Sequence, residues 1–420
     1  MYKSSVLDNG LRIITGFMPH TRSVSLAIFV GVGSRYEANE IAGSTHFLEH
    51  LLFKGTKLWP SAKAISEAIE GTGGIMNAST DKEMTVYWCK VAEPYFRTSL
   101  SVLVDMILNP LLDLEELEKE RQVIYEELRM TNDYPSHRVD LLIDEMLWPN
   151  QPMGRDVGGS LDSVANISRD DLLNLMEHQY GPNNVVISVA GNVRHEDVVE
   201  QLTRSTDTWV YREPWKWSPV DCEQSRPAVR LEYRETEQAH VCLGIPGVSM
   251  EEPDRYAARL FNTLLGEGMT SRLFQKLREE LGLVYDVHSD ISHFKDCRSL
   301  TIYFGSEPNR SLDAVSAIME ELINVKSNFS EDEINRAKRL TKGRMLLGME
   351  DSRSVAMSFG AHELMHGYVK TVDEIAETID GLTLDDINRV ANNILQENKL
   401  NLAIVGPFKD IQKFEPLMKL

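Results

Sequence analysis

Long apolar runs are missing. No stretch of the 420-residue chain reaches the ~18 consecutive apolar residues of a membrane-spanning helix, so we expect no membrane partner. The N-terminus, MYKSSVLDNGLRIITGF, lacks the apolar core and small-residue cleavage site of a secretory signal, and the Arg-rich look of a transit peptide. Cysteine is scarce. Cys89, Cys222, Cys242 and Cys297 are scattered, with no CxxC. That fits a reducing compartment, and we expect a cytoplasmic protein without disulfides or a cysteine-ligated metal. Positive charge is also short: 44 Lys and Arg face 64 Asp and Glu, a net of −20. Counterion release needs basic patches, so we expect no nucleic-acid partner. Such a chain attracts cationic partners, although acidity also serves plain solubility.

What is present is ordinary for a globular protein. Hydrophobic residues at 42%, charged residues at 26%, 26 Gly and 16 Pro exclude collagen-like, low-complexity and wholly disordered chains. The length fits two or three domains at ~150 residues each.

One pattern occurs twice. Segments 167–193 (ISRDDLLNLMEHQYGPNNVVISVAGNV) and 382–408 (LTLDDINRVANNILQENKLNLAIVGPF) both read as a capped amphipathic helix, a short turn and an apolar strand ending in Gly. Asp171 matches Asp386, and Gly191 matches Gly406, at an offset of 215. The helices starting at Asp113 and Ser330 match Leu117 to Ile334 at an offset of 217. Offsets this close imply duplication. We expect an α+β fold with two homologous sandwich domains, each a mixed antiparallel sheet with helices on one face. Domain one spans 1–210 and domain two 228–420, joined by a linker at 211–227 within the Pro- and Trp-rich stretch Thr208–Pro227.

The chemistry sits in the first half. AGSTHFLEHLLFKGT carries His46, Glu49 and His50. Ser44 or Thr45 can open a helix there and Gly55 can close it. On a helix the two His lie one turn and ~40° apart, so two imidazoles can grip one metal ion. Glu49 stands beside them, where a carboxylate can deprotonate a water that the metal activates. This is the inverted zincin pattern.

Catalytic zinc usually has a third protein ligand. In EKERQVIYEEL, Glu120 and Glu127 are seven residues apart and share a helix face within ~20°, whereas Glu126 points ~120° from Glu120. Val123 and Ile124 neighbour the Glu120–Glu127 face, so that face is expected to turn inward. A buried acid needs a partner, and a metal supplies one. Glu127 is therefore the expected third ligand, with Glu120 supporting the ligand set.

HFLEH followed by E-R-x-V-I-x-x-E resembles the M16 zinc metallopeptidases. GTGGIMNASTDKEMTVYW (71–88) and EGMTSRLFQKLREELGLVYDV (267–287) resemble further segments of that family. The length matches its half-size bacterial and mitochondrial-processing-type members rather than its fused ones. The resemblance implies one Zn2+ per chain on His46, His50 and Glu127, with Glu49 as general base. It implies that Asn77, near an edge strand, contacts an extended peptide substrate. Arg278 and Tyr285, from the second half, would hold substrate and stabilise the tetrahedral intermediate. On pattern alone they read as a surface and a core residue. The resemblance also implies a clamshell half that completes itself as a homodimer. Its runner-up is a non-catalytic or partner-dependent subunit of a heteromeric complex.

A second motif competes. FGAHELMHGY places His362, Glu363 and His366 in H-E-x-x-H spacing. No separate glutamate helix follows, and Arg344 stands where the offset of 217 would repeat Glu127. We expect no metal there.

Overall fold

The computed structural model describes residues 2–250 and 254–420. In chain order the elements are β1 (Tyr2–Val6), β2 (Arg12–Phe17), β3 (Ser23–Val30), α1 (Ser44–Leu52), α2 (Ala62–Ile69), β4 (Ile75–Thr80) and β5 (Thr85–Ala92). Next come α3 (Phe96–Leu108), α4 (Leu114–Asp133), α5 (Pro135–Leu147), α6 (Leu161–Asn166), α7 (Arg169–Gln179), β6 (Val185–Gly191) and α8 (His195–Ser205). The second series runs β7 (Ala228–Tyr233), β8 (Ala239–Val248), α9 (Asp254–Leu265), a π-helical segment (Phe274–Glu280), β9 (Asp286–His293) and β10 (Cys297–Ser306). It ends with α10 (Ser311–Asn324), α11 (Glu331–Gly348), α12 (Ser352–His366), α13 (Val372–Gly381), α14 (Leu384–Ile394) and β11 (Asn401–Gly406).

These elements form two compact units. Unit 1 holds Met1–Leu128, Asp156–Ser218 and Leu346–Thr371; unit 2 holds Arg129–Arg155, Pro219–Met345 and Val372–Leu420. The expected contiguous halves therefore exchange helices: α5 belongs to unit 2 and α12 to unit 1. Residues 211–227, expected as a linker, contain no helix or strand. They are nonetheless pinned in part, with the Trp217 ring stacked at 4.0 Å from the Arg35 guanidinium.

The duplication is visible in the sheets. Unit 1 has strand order β1-β2-β6-β3-β5-β4, and unit 2 has β7-β11-β8-β10-β9. Apart from the extra edge strand β1, the two orders correspond strand for strand. In each sheet one pair is parallel, β2 with β6 and β7 with β11. The paired helices also start alike. Ser168 caps α7 in a box with Asp171, and Thr383 caps α14 in a box with Asp386.

The central strands are apolar on both faces, and the period-2 alternation explains why. In unit 1, Ile13, Leu26, Ile28 and Ile187 face the main core with Phe47, Leu100, Ile124 and Leu175 from the helices. Ile14, Phe29 and Val186 face the other way, onto Val355, Ala356 and Phe359 of α12. Unit 2 repeats this, with Cys242, Ala403 and Val405 against Val139, Leu142 and Ile143 of α5. Helices thus group on one face of each sheet, as expected, and a single exchanged helix covers the opposite face. Close packing there relies on glycine: a Cβ on Gly360 would stand 2.1 Å from the Phe29 ring. No described helix is long and apolar enough to cross a membrane.

Candidate metal centre

Helix α1 is amphipathic. Phe47, Leu48, Leu51 and Leu52 are buried in the core, which turns His46, Glu49 and His50 the other way. The expected cap is corrected here. Ser44 is already the first helical residue, and the N-cap is Gly43, which has no side chain to offer. The carboxylate of Glu37 serves instead, accepting from the backbone N–H of Gly43 at 2.7 Å and of Thr45 at 2.6 Å. The helix ends at Leu52, ahead of Gly55.

Helix α4 brings the acids. Leu117, Glu120, Arg121, Ile124 and Leu128 are buried. Arg121 anchors the helix by donating to the carbonyls of Val164 and Ile167. Ile124 does mark the inward face, but Val123 does not: it is 43% exposed. At ~100° per residue the buried positions 117, 121, 124 and 128 all lie to one side of Glu120, whereas position 123 lies ~60° to the other side, out of that contact. Glu126 is exposed and Glu127 half-buried.

The structure brings His46, His50 and Glu127 together. One ligand atom from each lies within 4.8 Å of the others, and no other group of three His, Cys, Asp or Glu among the described residues does so. Glu127 Oε2 is 3.5 Å from His50 Nε2 and 3.9 Å from His46 Nε2. Two ligands at ~2.0 Å from a tetrahedral ion stand ~3.3 Å apart, so a small closure would seat a zinc ion.

The ring nitrogens test the fit further. His50 Nδ1 lies 3.1 Å from Glu120 Oε2, and an N–H donated there leaves Nε2 as the lone-pair nitrogen on the Glu127 side. Lys54 Nζ holds the other Glu120 oxygen at 2.5 Å. His46 is pushed down to about 4, first by burial and then by its neighbour His50. It is therefore neutral at pH 7, the form that binds metal. Two imidazoles, one carboxylate and an open side are the donor set of a catalytic zinc site.

Glu49 stands beside this set. Burial raises its carboxyl pKa, while the Thr80 hydroxyl, donating to Oε2 at 2.5 Å, and His50 pull the other way; Glu127 adds to the rise. A carboxyl raised by burial and held by one hydroxyl is suited to general-base work. Sequence reasoning missed Thr80, although it ends the GGIMNAST run that pointed to Asn77. It also missed Lys54 in the FKGT turn after the motif.

Asn77 sits on β4, the edge of the unit 1 sheet, with its side-chain carbonyl accepting the Ala78 N–H at 2.8 Å. It lines an open cleft together with Glu49, His50, Phe53, Met76 and Glu127. Arg278 and Tyr285 lie in unit 2. The Arg278 guanidinium is 4.9 Å from the Phe274 ring and 4.8 Å from the Tyr285 ring. Tyr285 is 74% exposed, which corrects the pattern-based reading of it as core. Arg278 lies on the π-helical segment, a form frequent at functional sites.

The H-E-x-x-H segment lies on α12. Its Glu363 carboxylate pairs with Arg12 at 3.6 Å, and the His362 and His366 rings are 6.1 Å apart. In unit 2, Arg344 pairs with Glu267. A guanidinium at the position equivalent to Glu127 removes a ligand there.

Two family descriptions match the chain: insulinase, peptidase family M16, over residues 12–160, and the peptidase M16 inactive domain over 166–341. The chain is 37% identical to an uncharacterized zinc protease of Streptomyces coelicolor, covering 98% of this chain and 90% of that protein. It is 35% identical to the uncharacterized zinc protease YmxG of Bacillus subtilis, over 97% of this chain and 98% of the other. Among solved structures, a Helicobacter pylori protease superposes with a TM-score of 0.89 at 23% identity, covering 96% of this chain and 99% of that one. A chain of Complex III2 from Candida albicans superposes at 0.83 with 17% identity, over the full length of both. Fold, near-full-length relatives and family matches agree: the chain belongs to peptidase family M16 and is a metalloprotease.

Proposed function

We propose that the chain is a zinc-dependent endopeptidase that cleaves short or unfolded peptides, with a preference for basic ones. The observation that carries this is the convergence of His46, His50 and Glu127 beside Glu49. These three residues would hold one zinc ion per chain. A zinc ion held there would supply Lewis acidity to a carbonyl and to a water. Glu49 takes the proton of the attacking water and passes it to the leaving amine. Thr80 fixes Oε2 of Glu49, which leaves Oε1 for that transfer. Glu120 fixes the His50 tautomer. Asn77 and the free side of β4 bind the substrate as an added strand. Arg278 and Tyr285 contact substrate and the developing negative charge.

The fold also occurs in a Complex III2 chain, but the full donor set favours catalysis here over a purely structural role. We place the enzyme in the cytoplasm, on its four free cysteines, and as a homodimer. Size-exclusion chromatography with metal analysis and a fluorogenic peptide assay on the same peak tests the whole reading. One zinc per chain and peptidase activity in a dimer peak are expected. In the same assay Glu49→Gln should keep zinc and lose ~10²–10⁴-fold in turnover. Near-normal turnover of that variant would sink the mechanism.

A further inference from the structure

The helix that carries both His ligands cannot cap itself. Gly43, its N-cap, has a φ of +95°, and a Cβ there would stand 2.3 Å from the Gly158 carbonyl oxygen. Ser, Thr, Asn or Asp is therefore barred at the position that normally supplies the cap. Glu37 fills the role from outside the helix. It is 5% exposed, and besides the Gly43 and Thr45 N–H groups it faces the Ser44 hydroxyl at 3.4 Å.

This placement bears on the metal. His46 is the third residue of α1, within its first turn. The first turn of a helix carries the positive end of the peptide dipoles, equivalent to about half a charge, which repels a cation held there. A dication on His46 would sit in that field. The Glu37 carboxylate puts a negative charge on the same N–H groups that generate it. The His46 ring is itself buried along its Nδ1 edge. Shifting the first turn of α1 would move that ring with it.

We propose that Glu37 is a positioning residue of the metal centre, seating the first turn of α1 so that His46 meets the ion and offsetting the positive end of the helix beside it. This rests on the reading of His46, His50 and Glu127 as zinc ligands. The competing account is that Glu37 is a fold-stabilising cap and nothing more.

The two accounts separate on metal affinity. Zinc-free full-length protein is titrated with zinc against a chromophoric chelator, and Co2+ absorption reports the ligand geometry. Glu37→Gln keeps the length and one acceptor oxygen but not the charge. Glu37→Asp keeps the charge and draws it back by one methylene. At a temperature where the zinc-free variants are folded by circular dichroism, E37Q should bind zinc about 5–30-fold more weakly than wild type, the upper part of the range for a charge at a helix end, as suits a buried one. Its Co2+ bands should shift, and E37D should fall between, about 2–5-fold weaker. Wild-type affinity and unchanged bands in E37Q, whatever happens to its Tm, would reduce Glu37 to a cap. Should E37Q fail to fold, E37D decides alone, since wild-type affinity and bands there would overturn the proposal. Wild-type protein that binds no zinc at all is a separate outcome, which ends the metal reading as well.

Discussion

Glu126 and Glu127 are neighbours in sequence, yet only Glu127 lies near the two imidazoles. Glu127→Gln should therefore lower zinc occupancy sharply, while Glu126→Gln leaves it unchanged, as measured by metal analysis after dialysis. Glu120→Gln should weaken zinc binding ~10–100-fold, because it loses the carboxylate that orients His50. His46 sets a pH dependence in the zinc-free protein. Its folded pKa, about 4, lies below the ordinary 6.5, so the unfolded chain binds the extra proton between those values. Stability is then full above about pH 6.5 and falls as pH drops toward 4, by on the order of 3 kcal/mol. Denaturant midpoints across that range should show the slope, and His46→Gln should flatten it. An equal slope in both proteins would contradict the burial argument. At this scale the sequence was informative where one helix face decides the outcome. The spacing of Glu120 and Glu127 picked out the acid that meets the His pair. The Glu37 cap was not legible, because it comes from outside the helix and depends on how closely Gly43 approaches Gly158.

Two helical glycines make opposite predictions at the level of elements. Gly343 lies inside α11 with nothing within 4 Å of its would-be Cβ. Gly343→Ala should stabilise by ~0.5–1 kcal/mol through helix propensity alone. Gly360 lies inside α12 against the buried Phe29 ring. Gly360→Ala gains the same propensity but must displace an aromatic ring, and should destabilise by ~1–3 kcal/mol. Thermal melts of the two variants should move Tm in opposite directions. The repeated helix–turn–strand ends were readable because Asp171 and Asp386 make the same capping box, a purely local device. The exchange of α5 and α12 was not. An amphipathic helix announces that it has an apolar face, but its pattern does not say which sheet that face covers.

For the whole molecule the main lever is charge. A net of −20 should concentrate cationic peptides and speed their capture, an effect that salt screens. The kcat/KM of a basic peptide should exceed that of its Lys/Arg→Glu version at low ionic strength, and the ratio should shrink at high salt. Equal values at both salts would leave the acidity as a solubility feature.

Ribosomes deliver this chain from the N-terminus at ~5–20 residues per second. The strand set of unit 1 is complete once Gly191 has been made, yet the helix that covers Ile14, Ala27 and Phe29 begins only at Ser352. For roughly ten seconds or more the nascent protein holds a finished sheet with one oily side bare. Arrested chains ending near residue 340 should therefore crosslink to ribosome-associated chaperones through that side, and chains arrested after the full sequence has emerged should not. Equal crosslinking of both would mean that the sheet assembles only after its cover arrives.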